Sequence, residues 1–210
     1  MRSVIDDRLM FLGQDRYLYA LGTERPFGEE RVGTRGGIED FAVGRMRRGI
    51  VGLSTGGEVF AVVEGEEAEG IMGNSGRVEL PKRAEVWCSI GMGTGKALVT
   101  GWSKSEEGNY LYLVSKGAVR TELFVPCGGY NCPIIYPVYL DRPDCKLWVL
   151  GRNFRYVDIV REKGGKLELW QSKDSTLYTP GPNICWVKEI NGHVLVGMRG
   201  VIRRLNIPFE

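Results

Sequence analysis

The stretch Cys145–Gln171, CKLWVLGRNFRYVDIVREKGGKLELWQ, contains three short apolar runs, LWVLG, YVDIV and KLELW, parted by a polar turn and a Lys-Gly-Gly corner. Each run is β-branched or aromatic and too short for a helix, so the stretch predicts a three-stranded antiparallel meander. Its theme, an apolar strand often ending in Gly, a turn, then a second apolar strand, returns along the whole chain. It occurs at Leu9–Gly22, Ile50–Gly65, Ala97–Gly117, Leu147–Val160 and Val194–Ile207. Short apolar runs precede the last four copies: DFAVG, EVWCSI, YPVYL and CWVKEI. Further runs, EGIMG, VRTELFV and KLELW, follow copies two to four.

Five copies in 210 residues repeat at a spacing of roughly 42, the span of a four-stranded propeller blade. The chain therefore resembles β-propellers, and by count the five-bladed kind, although no WD dipeptide or kelch signature is present. The expected fold is all-β: one five-bladed β-propeller domain of four-stranded antiparallel blades, at about 1–36, 37–80, 81–128, 129–175 and 176–210. A β-sandwich or barrel of similar strands is the alternative. The preceding runs would be inner strands and the following runs outer ones. No stretch sustains apolar spacing of three and four, so essentially no helix is expected. The first blade has only RSVI for an inner strand, and the last ends without an outer one. Ring closure then either uses the N-terminal segment as the missing strand or leaves an exposed edge for a partner.

Charge is balanced, with 28 basic against 26 acidic side chains, and implies no polyanion-binding surface. Arg outnumbers Lys, and Gln occurs only at Gln14 and Gln171. That composition fits a thermophilic prokaryote or one of its viruses. The N-terminal residues lack the pattern of a secretory signal, and no window reaches the length of a membrane helix. A soluble, cytoplasmic protein is expected, located in the virion or host cytoplasm if the source is viral.

Of five Cys, Cys127 and Cys132 flank GGYN at a spacing compatible with a small disulfide, or with two reduced thiols in a loop. Cys88 and Cys185, each beside a Trp, read as core residues. The single His193 falls in a turn, and neither zinc nor another cofactor is implied.

GMGTGK, at Gly91–Lys96, has the look of a phosphate loop but fails its pattern. Ile90 stands where the first Gly belongs, and Ala97 where Ser or Thr would hold magnesium. A hairpin turn is expected. The basic clusters Arg45, Arg47, Arg48 and Arg199, Arg203, Arg204 read as solvated charge, with a polar protein interface next and nucleic acid disfavoured.

Five-bladed glycoside hydrolases of the furanosidase type suggest a test for catalysis, since they use axial carboxylates. Asp40 and Glu85 begin successive inner runs and are the catalytic candidates, but no third carboxylate follows. The chain is also similar in size and blade number to tachylectin-type lectins, without a matching sugar-binding motif. The preferred expectation is a non-enzymatic module for binding another protein, with a glycan-binding propeller as alternative and no membrane partner. Tyr130, Asn131, Tyr178, Asn183 and Asn109, on loops expected at one rim, are the candidate contact residues.

Overall fold

Runs such as Lys96–Ser103 and Gly108–Ser115 are buried at nearly every position. A strand accepts that pattern only when both of its faces are covered. The computed structural model shows how. It describes residues 2–5, 8–20, 37–44, 49–127, 133–141, 146–152, 156–170, 176–178, 184–198, 200–205 and 207.

These residues form five antiparallel sheets, each built from strands consecutive in the chain. The first holds β1 (Arg2–Ile5), β2 (Arg8–Leu12) and β3 (Leu18–Ala20). The second holds β4 (Ile38–Val43), β5 (Ile50–Ser54), β6 (Glu58–Val63) and β7 (Arg77–Glu79), with helix α1 (Glu66–Met72) between the last two. The third comprises β8 (Val86–Gly93), β9 (Lys96–Ser103), β10 (Gly108–Ser115) and β11 (Ala118–Pro126). The fourth comprises β12 (Ile134–Asp141), β13 (Lys146–Arg152), β14 (Tyr156–Lys163), β15 (Lys166–Leu169) and β16 (Thr176–Tyr178). Both β15 and β16 pair with β14, along different parts of it. The fifth holds β17 (Ile184–Ile190), β18 (His193–Met198) and β19 (Val201–Leu205).

Apolar side chains fill the spaces between successive sheets. Leu18 meets Ile38, Phe41 and Phe60 between the first and second. Val51, Leu53 and Ile71 meet Trp87, Val99 and Tyr112 between the second and third. Leu98 and Leu111 meet Trp148 and Leu150 between the third and fourth, and Leu147 and Val149 meet Ile184 and Val196 between the fourth and fifth. Neighbours along one strand thus serve opposite layers: Leu98 faces the fourth sheet and Val99 the second. The period-two rule of a strand places apolar residues on both sides, which is why these runs are continuous rather than alternating.

The first strand of each sheet packs on its counterpart: β1 on β4, β4 on β8, β8 on β12 and β12 on β17. Between β8 and β12 the approach is close because Gly91 has no side chain; a Cβ there would lie 2.2 Å from the Pro137 carbonyl oxygen. Gly91→Ala is therefore expected to cost about 2–3 kcal/mol by forcing these strands apart, seen as a lowered Tm in a thermal melt.

The expectation of essentially no helix is corrected by α1, and EGIMG belongs to it rather than to an outer strand. Ala68, Ile71 and Met72 are its buried face, at the i, i+3, i+4 spacing of a helix. Acids in the first turn suit the positive end of the helix dipole. Two of its last carbonyls are capped by the next sheet, where the amides of Lys116 and Gly117 donate to Gly70 and Ile71 at 3.0 and 2.8 Å. The outer strand of the second sheet is instead the short β7. RSVI is β1 and pairs with β2, so it completes its own sheet and not the last one. No helix among the described residues is long and apolar enough to cross a membrane.

Candidate interaction surface

The inner strands share an irregularity. Their registers slip at Glu39 in β4, Cys88 in β8, Tyr136–Pro137 in β12 and Cys185 in β17. A bulge turns the strand and re-aims the side chains beyond it. At Tyr136 it is accompanied by a positive φ of 57°, uncommon for a residue with a side chain. Past the bulges, the four strands surround a cavity of about 330 Å³, whose lining includes Phe41, Met92, Tyr136, Val138, Val187 and Lys188. Burial chiefly, with smaller contributions from Cys185 and Asp40 nearby, raises the Tyr136 hydroxyl above its usual range.

Asp40 and Glu85 sit in different surroundings, each bonded to a different backbone amide. Asp40 is buried in β4, and its Oδ2 accepts the Ile90 amide of the neighbouring sheet at 3.0 Å. Burial pushes its carboxyl up to about 6, against the lowering effect of that hydrogen bond. Glu85 lies just ahead of β8, exposed, and its Oε1 accepts the Ser105 amide at 2.7 Å. That bond, chiefly, holds its carboxyl below the ordinary range. One carboxylate ties two sheets together and the other closes a turn. Each is used by the fold.

Asn109 is corrected from loop contact to internal strut. It is fully buried in β10, its Nδ2 donating to Cys127 Sγ at 3.0 Å and its Oδ1 accepting the Ile134 amide at 2.8 Å. The Ile134 carbonyl accepts from Thr100 Oγ1 at 2.7 Å, so both backbone groups of the first residue in β12 are held by the third sheet. Such pairing is required of polar groups removed from water. Cys127 is buried beside Trp102; Cys132, its proposed disulfide partner, lies outside the described residues, as do Tyr130, Asn131 and Asn183. Tyr178 ends β16, a strand on β14 and not a loop, and only its backbone is among the described residues. Cys88 is half-buried, its thiol pushed up to about 12 by burial and then by Glu39. Cys185 is exposed at its bulge, contrary to the core reading.

GMGTGK is a hairpin: β8 and β9 join through Thr94 and Gly95, with Gly95 at φ 64°. Its lysine is engaged elsewhere, Lys96 Nζ donating to both carboxylate oxygens of Glu162 on β14 at 2.9 and 2.7 Å.

An exposed, apolar strand edge lies on the fifth sheet. The second, third and fourth sheets each have a further strand outside their third, whereas the first sheet ends at β3 and the fifth at β19 among the described residues. From Val201 to Arg204 every residue of β19 is exposed, Val201 by 42% and Ile202 by 65%. Arg203 and Arg204 continue the strand, so an apolar pair is followed by a cationic pair. Register sets Val201 and Arg203 opposite Met198 and Val196, and Ile202 and Arg204 opposite Gly197 and Leu195. Trp186 lies over Gly197, where a Cβ would fall 2.0 Å from the indole. The basic residues Arg203 and Arg204 were legible in the sequence; their place on an exposed strand beside Val201 and Ile202 was not.

No family model matches the chain, and no curated protein does. Among solved structures, the chain is similar to the β-propeller domain of Myceliophteria thermophila Cps50 (Swd1), with a TM-score of 0.59 and 13% identity over 99% of this chain and 65% of that one. It is similar also to the C-terminal WD40 domain of Sif2, with a TM-score of 0.57 and 13% identity over 99% of this chain and 57% of that one. The chain spans less than two thirds of either structure. The likeness establishes a β-propeller fold.

Proposed function

We propose that the chain is a five-bladed propeller that serves as a non-enzymatic module for binding another protein, with the partner seated on the outer edge of the fifth sheet. The blade count is supported by five sheets in chain order and by one cavity bounded by four of the inner strands. The observation that carries the docking reading is β19, an edge strand with exposed Val201 and Ile202. An edge strand presents unpaired backbone donors and acceptors, and natural proteins ordinarily shield one that is also apolar. Left open, it suits capture of an extended segment by main-chain pairing, with side-chain contacts adding specificity.

A phage-displayed library of random peptides tests this on the full chain. Selected peptides are expected to lose binding to the Val201→Lys/Ile202→Lys variant, whose Tm should stay within a few degrees of wild type because both side chains are exposed. Peptides that bind the variant equally, or a selection that returns none, would reject the edge.

A further inference from the structure

Resting on the edge reading above, we propose that the occupant of β19 is an extended segment of another protein in which two acidic residues precede two β-branched or aromatic ones. The pattern follows from opposition across a strand pair. On an antiparallel neighbour, the residues facing Arg204 and Arg203 come first and those facing Ile202 and Val201 come after. Directly opposed side chains interact, favourably for opposite charges and for apolar pairs, unfavourably for like charges. The sequence of the hairpin strengthens the charge requirement, because His193–Ile207 contains Arg199, Arg203 and Arg204 but no Asp or Glu. An acidic segment arriving there meets no carboxylate from the strands it joins. Val201 and Ile202 point to opposite faces, so the two apolar residues of the partner are shielded one on each side. Ile202 stands beside Gly197 and the indole of Trp186, giving one of them an apolar neighbourhood.

Two synthetic strand-forming peptides, alike except for Glu-Glu or Lys-Lys ahead of Val-Ile, separate the alternatives by fluorescence anisotropy with the full chain. Two charge pairs of the magnitude found across strands give the Glu-Glu peptide roughly tenfold tighter binding. Arg203→Glu/Arg204→Glu is expected to invert the preference, and Val201→Lys/Ile202→Lys to abolish binding of both. Equal affinities that are lost in the second variant would leave the edge reading standing and overturn the acidic partner. Failure of both peptides to bind would overturn both. A duplex DNA probe that binds more tightly than either peptide, with steep salt dependence removed by Arg203→Glu/Arg204→Glu, would assign the arginines to nucleic acid instead. Self-association by sedimentation, lost in Val201→Lys/Ile202→Lys, would assign the edge to a second copy of the chain and equally overturn the proposal.

Discussion

Asp40→Asn should abolish a fall in stability that the wild-type protein shows as pH rises from about 4 to 7. The carboxyl titrates near 3.8 when unfolded and near 6 when buried in β4. Between those values the native state holds a proton that the unfolded state has released, so unfolding becomes easier as pH increases. The contribution is fully present below the unfolded value and is lost as pH rises through the folded one. The difference corresponds to about 3 kcal/mol. Asn keeps an oxygen for the Ile90 amide without a charge, and its curve should lack this component. Asp40→Ala leaves that amide without its acceptor and is expected to cost about 1–3 kcal/mol in addition to any packing loss. Urea denaturation at several pH values reads both effects. Parallel curves for wild type and Asp40→Asn would show that Asp40 is not the titrating group.

Lys96→Met is expected to destabilise the protein by about 3–5 kcal/mol, because it leaves the Glu162 carboxylate buried without its cation. The side chains of Lys96 and Glu162 are only 13% and 14% exposed. The ammonium also sits 5.8 Å from the centre of the Tyr139 ring. Replacing both partners, Lys96→Met with Glu162→Leu, should recover most of the loss, since a packed apolar pair avoids the desolvation of two charges. A double-mutant cycle by chemical denaturation measures the coupling. A single-substitution cost of only a few tenths of a kcal/mol would place the pair among solvated surface bridges.

Most of the architecture is visible in the chain because each sheet is a local object. Hairpins join strands a few residues apart, and runs such as LWVLG and YVDIV declare themselves through length and composition. The GMGTGK turn was equally legible, since it fails the phosphate-loop pattern in two places. The polar struts were not. Asp40 meets Ile90 across 50 residues of sequence and Asn109 meets Ile134 across 25, and nothing in the local pattern distinguishes a buried amide from one on a loop. Asn109 follows Gly108 at the end of a polar turn, a context that by itself predicts an exposed residue. Helix α1 was hidden for a different reason. Its three buried residues, Ala68, Ile71 and Met72, are the minimum for an apolar face, and Gly70 interrupts them. The exposed position of Cys185 follows from a bulge, which inserts a residue out of alternation and cannot be read from composition.

The docking role depends on the outer side of β19 being open in the protein alone. Amide hydrogen exchange of the full chain, followed residue by residue by NMR, tests it. The backbone amides of β19 that point away from β18 are expected to exchange almost as fast as in an unfolded chain, while those of β9, β10 and β13 remain strongly protected. Protection of both sides of β19 as strong as that of β10 would mean the edge is already filled, and would contradict the account.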